Sequence, residues 1–442
     1  MLPLPSSEVT ALRGRLWTNS GAQLAGAIIV RVSRAGAILT AARLLGPEGF
    51  GIVATGLAGY EMLRVLGELG LDTQLIRRVS QQPGTAAAET RHTIALKASL
   101  AAALAVLALL LTTLTLGPSA ALVLAGLSLG LFGIAAAGSV QALATGRLEA
   151  TRLLPYQAVA GVVFFAGVAG ATALFWRPAV TAIAIGVCDL FGGWIVSLYA
   201  RIPGDGRRET TGPHWPWRGA LRESWPVGAV NVLATAYGRL GIAVIAVAWG
   251  SAAVGQYGVS YRVVEVFLLA AGAVAASAFA VTARLDAQDP AAARELLDHI
   301  LGRVALVTLA AAVAVAAGAT LLPALLGARY AGAVPTTEVL AFALPPMFVN
   351  GLLTAHLYGR GRFATVLRIA AGNLCLNAVL VVLLIPRYGP PGAALAVVAT
   401  EAANTAWQSR AAGLPAGSWT WRIAGLSLLA GLVIFLLGHH AT

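Results

Sequence analysis

The sequence predicts an all-α polytopic membrane protein, and three observations carry the prediction. Hydrophobic residues fill 58% of the 442 positions and charged residues only 11%, where a soluble domain is about a quarter charged. The apolar residues gather into about thirteen stretches of roughly 20 residues, each long enough to cross a hydrocarbon core of ~30 Å as a helix. The basic residues alternate between successive breaks. One set of breaks plus the N-terminus holds 21 of the 30 Arg and Lys, the opposite set holds four, and five fall inside apolar stretches. The positive-inside rule then places the N-terminus in the cytoplasm. One helix missed or invented would scramble this alternation, so the charge pattern also supports the span count.

Taken in order, residues 1–16 form a cytoplasmic lead-in, and the spans cover 17–41, 50–74, 94–116, 120–145, 153–175 and 178–200. The breaks on the side poor in basic residues are short: Gly46-Pro47-Glu48-Gly49, Gly117-Pro118 and Trp176-Arg177-Pro178. Glycine and proline stop a helix at each of them. The segment 201–222, rich in Gly, Pro and Arg, reads as a cytoplasmic linker that closes a first set of six helices (17–200). A second set (223–411) follows with spans 224–249, 255–282, 300–325, 335–358, 363–385 and 389–411; an extra helix (422–438) and tail lie in 412–442. A weak internal echo links the halves. Gly49-Phe50-Gly51 opens the second span and Gly255-Gln256-Tyr257-Gly258 opens the eighth, with Gly51 and Gly258 offset by 207 residues.

The net charge of +12 is explained by the loops that orient the chain, so nucleic acid is not expected as a partner. Cys188 and Cys375 both lie within spans and build neither a staple nor a zinc site. The lone lysine, Lys97, follows Leu96, so no phosphate-binding GxxxxGK loop exists. His439-His440 are adjacent, not spaced along one helix face. No metal, cofactor or catalytic group is expected. The first apolar stretch carries Arg31 and Arg34, unlike the apolar region of a secretion signal.

Charges inside spans are the candidate functional residues, because each costs about 2.5–3.5 kcal/mol at mid-bilayer unless paired or hydrated. The first span presents Asn19, Ser20, Gln23, Arg31 and Arg34 on one face. The second carries Glu61, Arg64 and Glu68, with Glu61 and Arg64 spaced to pair. The seventh places Asn231, Thr235 and Arg239 on one stripe; the eighth does the same with Tyr257, Tyr261 and Glu265, and adds Arg262 three residues before Glu265. Asp189 and Glu401 stand isolated near mid-span. The Glu61/Arg64 and Arg262/Glu265 pairs have a structural reading as simple neutralisation. Arg31 and Arg239 have no local acid, and a hydrated cavity is the expected reason for them.

The run Ala42-Arg43-Leu44-Leu45-Gly46-Pro47-Glu48-Gly49-Phe50-Gly51, with Glu68-Leu69-Gly70-Leu71 and Leu75-Ile76-Arg77, resembles the opening of bacterial polysaccharide flippases of the O-antigen type. These belong to the multidrug/oligosaccharidyl-lipid/polysaccharide exporter superfamily. Val254-Gly255-Gln256-Tyr257, Tyr261-Arg262, Asn373, Asn377 and Ile385-Pro386 through Tyr388-Gly389-Pro390-Pro391-Gly392 extend the likeness, which covers about residues 15–411. The resemblance implies two six-helix bundles around a central cleft. It also implies alternating access without enzymatic chemistry, a polyprenyl-pyrophosphate-linked oligosaccharide as substrate, and the bacterial inner membrane as location. Membrane lipids and a glycan polymerase with other assembly proteins are the partners it suggests. Because family members line the cleft largely with helices 1, 2, 7 and 8, Arg31, Arg34, Arg64, Arg239 and Arg262 become candidates for substrate binding. Tyr257, Tyr261, Asn231 and Gln23 join them. Glu61, Asp189, Glu265 and Glu401 are the candidates for ion coupling.

Two other readings compete. A drug or cation exporter of the same superfamily would use buried acids as binding charges. A membrane glycosyltransferase or polymerase would need long outer loops, and those of this chain are short.

Overall fold

The computed structural model describes residues 6–201, 217–286, 290–415 and 417–440. The first residues of the lead-in, most of the linker and the last two residues of the tail therefore lie outside the described residues. The helices are α1 (Ser6–Glu68), α2 (Leu71–Gln81), α3 (Ala86–Leu116), α4 (Pro118–Gly146), α5 (Ala150–Phe175), α6 (Pro178–Ser197), α7 (Trp217–Asp286), α8 (Pro290–Gly318), α9 (Leu322–Leu326), α10 (Ala333–Ala341), α11 (Leu344–Gly359), α12 (Phe363–Ala412) and α13 (Trp419–His440). Short 3₁₀ turns fill several gaps, and no strand occurs among the described residues.

Nine of the described helices are long and apolar enough to cross a membrane, and α10 and α11, bent by 44°, pass the same test when taken together. Three of the nine are pairs of spans joined at one non-helical glycine: Gly46 in α1, Gly250 in α7 and Gly389 in α12. Counting the bent pair as one span and each kinked helix as two gives thirteen, the number the sequence predicts. The joining residues have a shared cause. Gly46 (φ 74°, ψ 176°) and Gly250 (φ 79°, ψ −177°) occupy a region open almost only to glycine. Gly117 (φ 87°, ψ 175°) repeats the conformation before Pro118, which opens α4. Proline at a helix start loses nothing, since its missing N–H would be unpaired there.

The chain forms two compact units, one of residues 1–41 and 59–232, the other of 42–58 and 233–442. In the first, α4 and α6 meet backbone to backbone. A Cβ on Gly186 or Gly193 would run into the carbonyls of Gly126 and Gly133, so these four glycines permit the approach. Asp189 lies between Gly186 and Gly193 on the same face and is buried. Asn19 is also buried; its side-chain carbonyl accepts a 2.7 Å bond from the Ala150 N–H, capping α5. The short amphipathic α2 buries Leu71, Leu75 and Val79. It is fastened by Lys97, whose Nζ lies 2.7 Å from Asp72 Oδ2.

The second unit packs α8, α10, α11, α12 and α13 around Val264, Ala312, Leu340, Val398 and Phe435. The thirteenth span, α13, thus packs against four helices of this unit. Near the Gly389 break the Ile385 carbonyl accepts a 2.8 Å bond from Trp249 Nε1. Tyr330, in the turn before α10, donates to the Ala42 carbonyl at 2.7 Å, and burial pushes its phenol pKa up. Residues 42–58 are held here by a reciprocal contact. A Cβ on Gly51 would strike the Ser251 carbonyl, and one on Gly255 would strike the Pro47 carbonyl. The turn glycines Gly46 and Gly250 are 204 residues apart, so the backbone aligns Gly51 with Gly255. The sequence echo, which paired Gly51 with Gly258, was three residues out of register.

Candidate functional site: an ion cluster in each unit

In the first unit Arg34 turns its guanidinium onto Asp189, Nη1 facing Oδ1 and Nη2 lying 3.3 Å from Oδ2. Tyr60 Oη donates to the same Oδ2 at 2.9 Å, and the Phe164 ring lies under the guanidinium at 4.3 Å. Asp189, isolated in sequence, therefore has a basic partner 155 residues away. Arg34 is already engaged by an acid. Close approach is possible because Gly130 faces this cluster: a Cβ there would stand 2.5 Å from Tyr60 Oη. One helical turn past Tyr60, Arg64 Nε donates to Glu61 Oε2 at 2.8 Å, the i,i+3 pair expected from sequence. Arg31 stays exposed at mid-span and makes no ion pair among the described residues. Gln23 is half-buried and Asn231 exposed.

In the second unit the charges converge. Arg262 Nη1 donates to Glu265 Oε2 at 2.6 Å, the other expected local pair. Arg239, which has no local acid in sequence, places Nη2 3.4 Å from the other oxygen of the same carboxylate. Its guanidinium carbon sits 5.8 Å from the Tyr261 ring centroid. Arg239, Arg262 and Tyr261 line one concavity together with Phe50, Leu57 and Gly258. Two guanidiniums thus share one carboxylate. Tyr257 does not share this exposure: it is 1% exposed, and its ring packs on Tyr261 at 5.9 Å. It shapes the wall from behind.

Glu401 is the contrasting acid. It is buried, and Asn350 Nδ2 donates to its Oε2 at 2.7 Å. It has no basic partner among the described residues. Sequence reading missed three participants: Tyr60, Asn350 and the Asp72–Lys97–Ser139 cluster, in which Ser139 Oγ donates to Asp72 Oδ1 at 3.0 Å. The last carried a signal, since the single lysine of a 442-residue chain is 4% exposed.

The fold is shared with solved membrane transport proteins. An inward-facing multidrug resistance MATE family transporter of the MOP superfamily superposes with a TM-score of 0.67 at 15% identity, over 95% of this chain and 98% of that one. The lipid II flippase MurJ, in an inward closed conformation, gives 0.70 at 13% identity, over 93% and 97%. A MOP superfamily transporter from Pyrococcus furiosus, described as having a binding pocket of reverse polarity, gives 0.58 at 15% identity, over 95% and 97%. At these identities the likeness is one of fold. The search of curated proteins returns no significant sequence match. The family model for polysaccharide biosynthesis proteins matches residues 40–335, about two thirds of the sequence, and the chain belongs to that family.

Proposed function

We propose that this protein moves a polyprenyl-pyrophosphate-linked oligosaccharide from the cytoplasmic to the outer leaflet of a bacterial inner membrane by alternating access. Its N-terminus and its 201–222 linker face the cytoplasm in this reading. The observation that carries it is the convergence of Arg239 and Arg262 on one concavity with a single carboxylate between them. A guanidinium keeps its charge at any relevant pH, and its planar fork matches phosphate oxygens. Membership of a polysaccharide biosynthesis family supports a glycan cargo. Arg31, exposed and without an acidic partner among the described residues, supplies a further charge in the first unit. Arg34 and Arg64 serve through their pairs. Tyr261 offers its ring to the substrate, and the glycan polymerase of the same pathway is the natural partner.

The test replaces Arg31 and Arg239 together by Gln. Glycan export should be lost while membrane insertion and thermal stability are kept. Full export by this double variant would refute the cationic site.

A second reading, an ion-coupled exporter of drugs or cations, is favoured by Glu401. Glu61, Asp189 and Glu265 all engage arginine, whereas Glu401 faces an amide. That leaves Glu401 the strongest coupling candidate in either reading. Gradient-driven efflux of a cationic dye that disappears in Glu401→Gln, with no effect of the arginine changes, would select the exporter.

A further inference from the structure

We propose that Glu265 is a built-in counter-anion of the Arg239/Arg262 site, occupying the place of a phosphate group and exchanging with it during each transport cycle. This rests on the anionic-substrate reading above and adds a specificity-determining residue to it.

The geometry is that of a bridging anion. The two oxygens of one carboxylate are divided between two guanidiniums: Oε2 lies 2.6 Å from Arg262 and Oε1 lies 3.4 Å from Arg239. The arginines come from opposite sides of the Gly250 break, so the carboxylate ties two spans together. All three side chains retain some exposure, 19% for each arginine and 27% for Glu265, so a ligand can reach them. Carboxylate and phosphate present the same face to a guanidinium, a pair of anionic oxygens. The asymmetry of the two distances matters. Glu265 belongs chiefly to Arg262, one helical turn away, and its bond to Arg239 is the longer of the two.

An empty site of two guanidiniums at membrane depth would be costly through both repulsion and desolvation. Glu265 removes that cost when no substrate is bound. It also limits affinity, because the substrate must displace it. When the carboxylate returns, it competes for the same donors and helps the pyrophosphate leave. A transporter needs binding that is favourable yet reversible, and an internal competitor supplies the second half.

The consequence is a pair of effects with opposite signs. Glu265→Gln keeps the size and a hydrogen-bonding group but removes the competing charge. Purified full-length protein in detergent should bind farnesyl pyrophosphate about tenfold more tightly as this variant, because charge-assisted hydrogen bonds to the resident anion no longer have to be broken. Flipping of a lipid pyrophosphate in vesicles should slow. Inorganic pyrophosphate serves as the second probe: parallel tightening for both locates the effect at the phosphates, and tightening for the prenyl compound alone overturns the proposal. Glu265→Asp, which draws the carboxylate back by one methylene, should tighten binding by a smaller factor, and it decides the matter if the Gln variant does not fold. Unchanged or weaker affinity in a folded Glu265 variant overturns the counter-anion role while leaving the transport reading intact. Absence of binding by the wild type to both probes would bring down the anionic-substrate reading and this inference together.

Discussion

Removing the carboxylate of Asp189 tests whether the first unit's ion cluster is architecture or machinery. In Asp189→Asn, Arg34 loses an anion that faces both of its terminal nitrogens, while Tyr60 keeps a hydrogen-bond acceptor. Breaking a buried pair by deleting one partner costs about 3–5 kcal/mol, because the other charge stays behind uncompensated. Arg34 is 22% exposed and Asp189 only 5%. The stranded arginine can therefore draw in some water, which places the cost at the lower end, about 3 kcal/mol. Arg34→Met should cost a similar amount for the mirror reason. The double variant has no charge left to strand and should recover most of the loss, ending within about 1 kcal/mol of the wild type. The assay is the apparent melting midpoint of the detergent-purified protein at a fixed scan rate, since unfolding of such a chain is a kinetic quantity. Additive effects in the double variant would refute the pairing argument. Transport by the same proteins then separates the roles. A stable double variant that still exports makes Asp189 a structural counter-ion, and a stable one that does not makes it part of the coupling.

Two further outcomes are expected. A reporter fused within residues 202–216 and another fused beside Ser251 should report opposite compartments, the first cytoplasmic; the same compartment for both would overturn the span count. Gly51→Val and Gly255→Val should each destabilise the protein by about 1–3 kcal/mol, read as melting midpoints, since each drives a side chain into the partner's backbone. A large effect at one position and none at the other would deny that the contact is reciprocal.

What the sequence made legible was local. Helix periodicity, the alternation of basic breaks, and the i,i+3 pairs Glu61/Arg64 and Arg262/Glu265 all depend on neighbours within a turn or a span, and the structure reproduces those pairs. The Gly-Pro breaks at Gly46 and Gly117 were legible for the same reason, since the conformations they adopt are set by the residues themselves. Partners distant in sequence were not legible. Arg34 and Asp189 are separated by 155 residues, and nothing periodic connects them. Arg239 looked unpaired because its acid lies beyond the next turn, 26 residues on. Asn19 read as one more polar residue on the first span's stripe. Its role as a cap depends on where α5 begins, which the first span's own sequence does not encode.

The 204-residue register carries a further physical point. Adding 204 to Pro47 gives Ser251, and adding it to Gly51 gives Gly255. The contact of Gly51 with the Ser251 carbonyl and that of Gly255 with the Pro47 carbonyl are therefore the same contact seen twice, as an approximate twofold axis between the two helix starts requires. Such symmetry doubles the constraint. A side chain at either glycine would push the same two backbones apart, so neither position accommodates a Cβ. The sequence echo paired Gly51 with Gly258, each of which follows an aromatic residue. Gly258 instead faces Phe50 and Ala54, where a Cβ would lie 3.3 Å from the Phe50 ring. Identical letters aligned the wrong glycine, and the backbone conformation at Gly46 and Gly250 supplies the right one. For a repeat this degraded, the turn that needs a positive φ keeps a truer register than the residues that follow it.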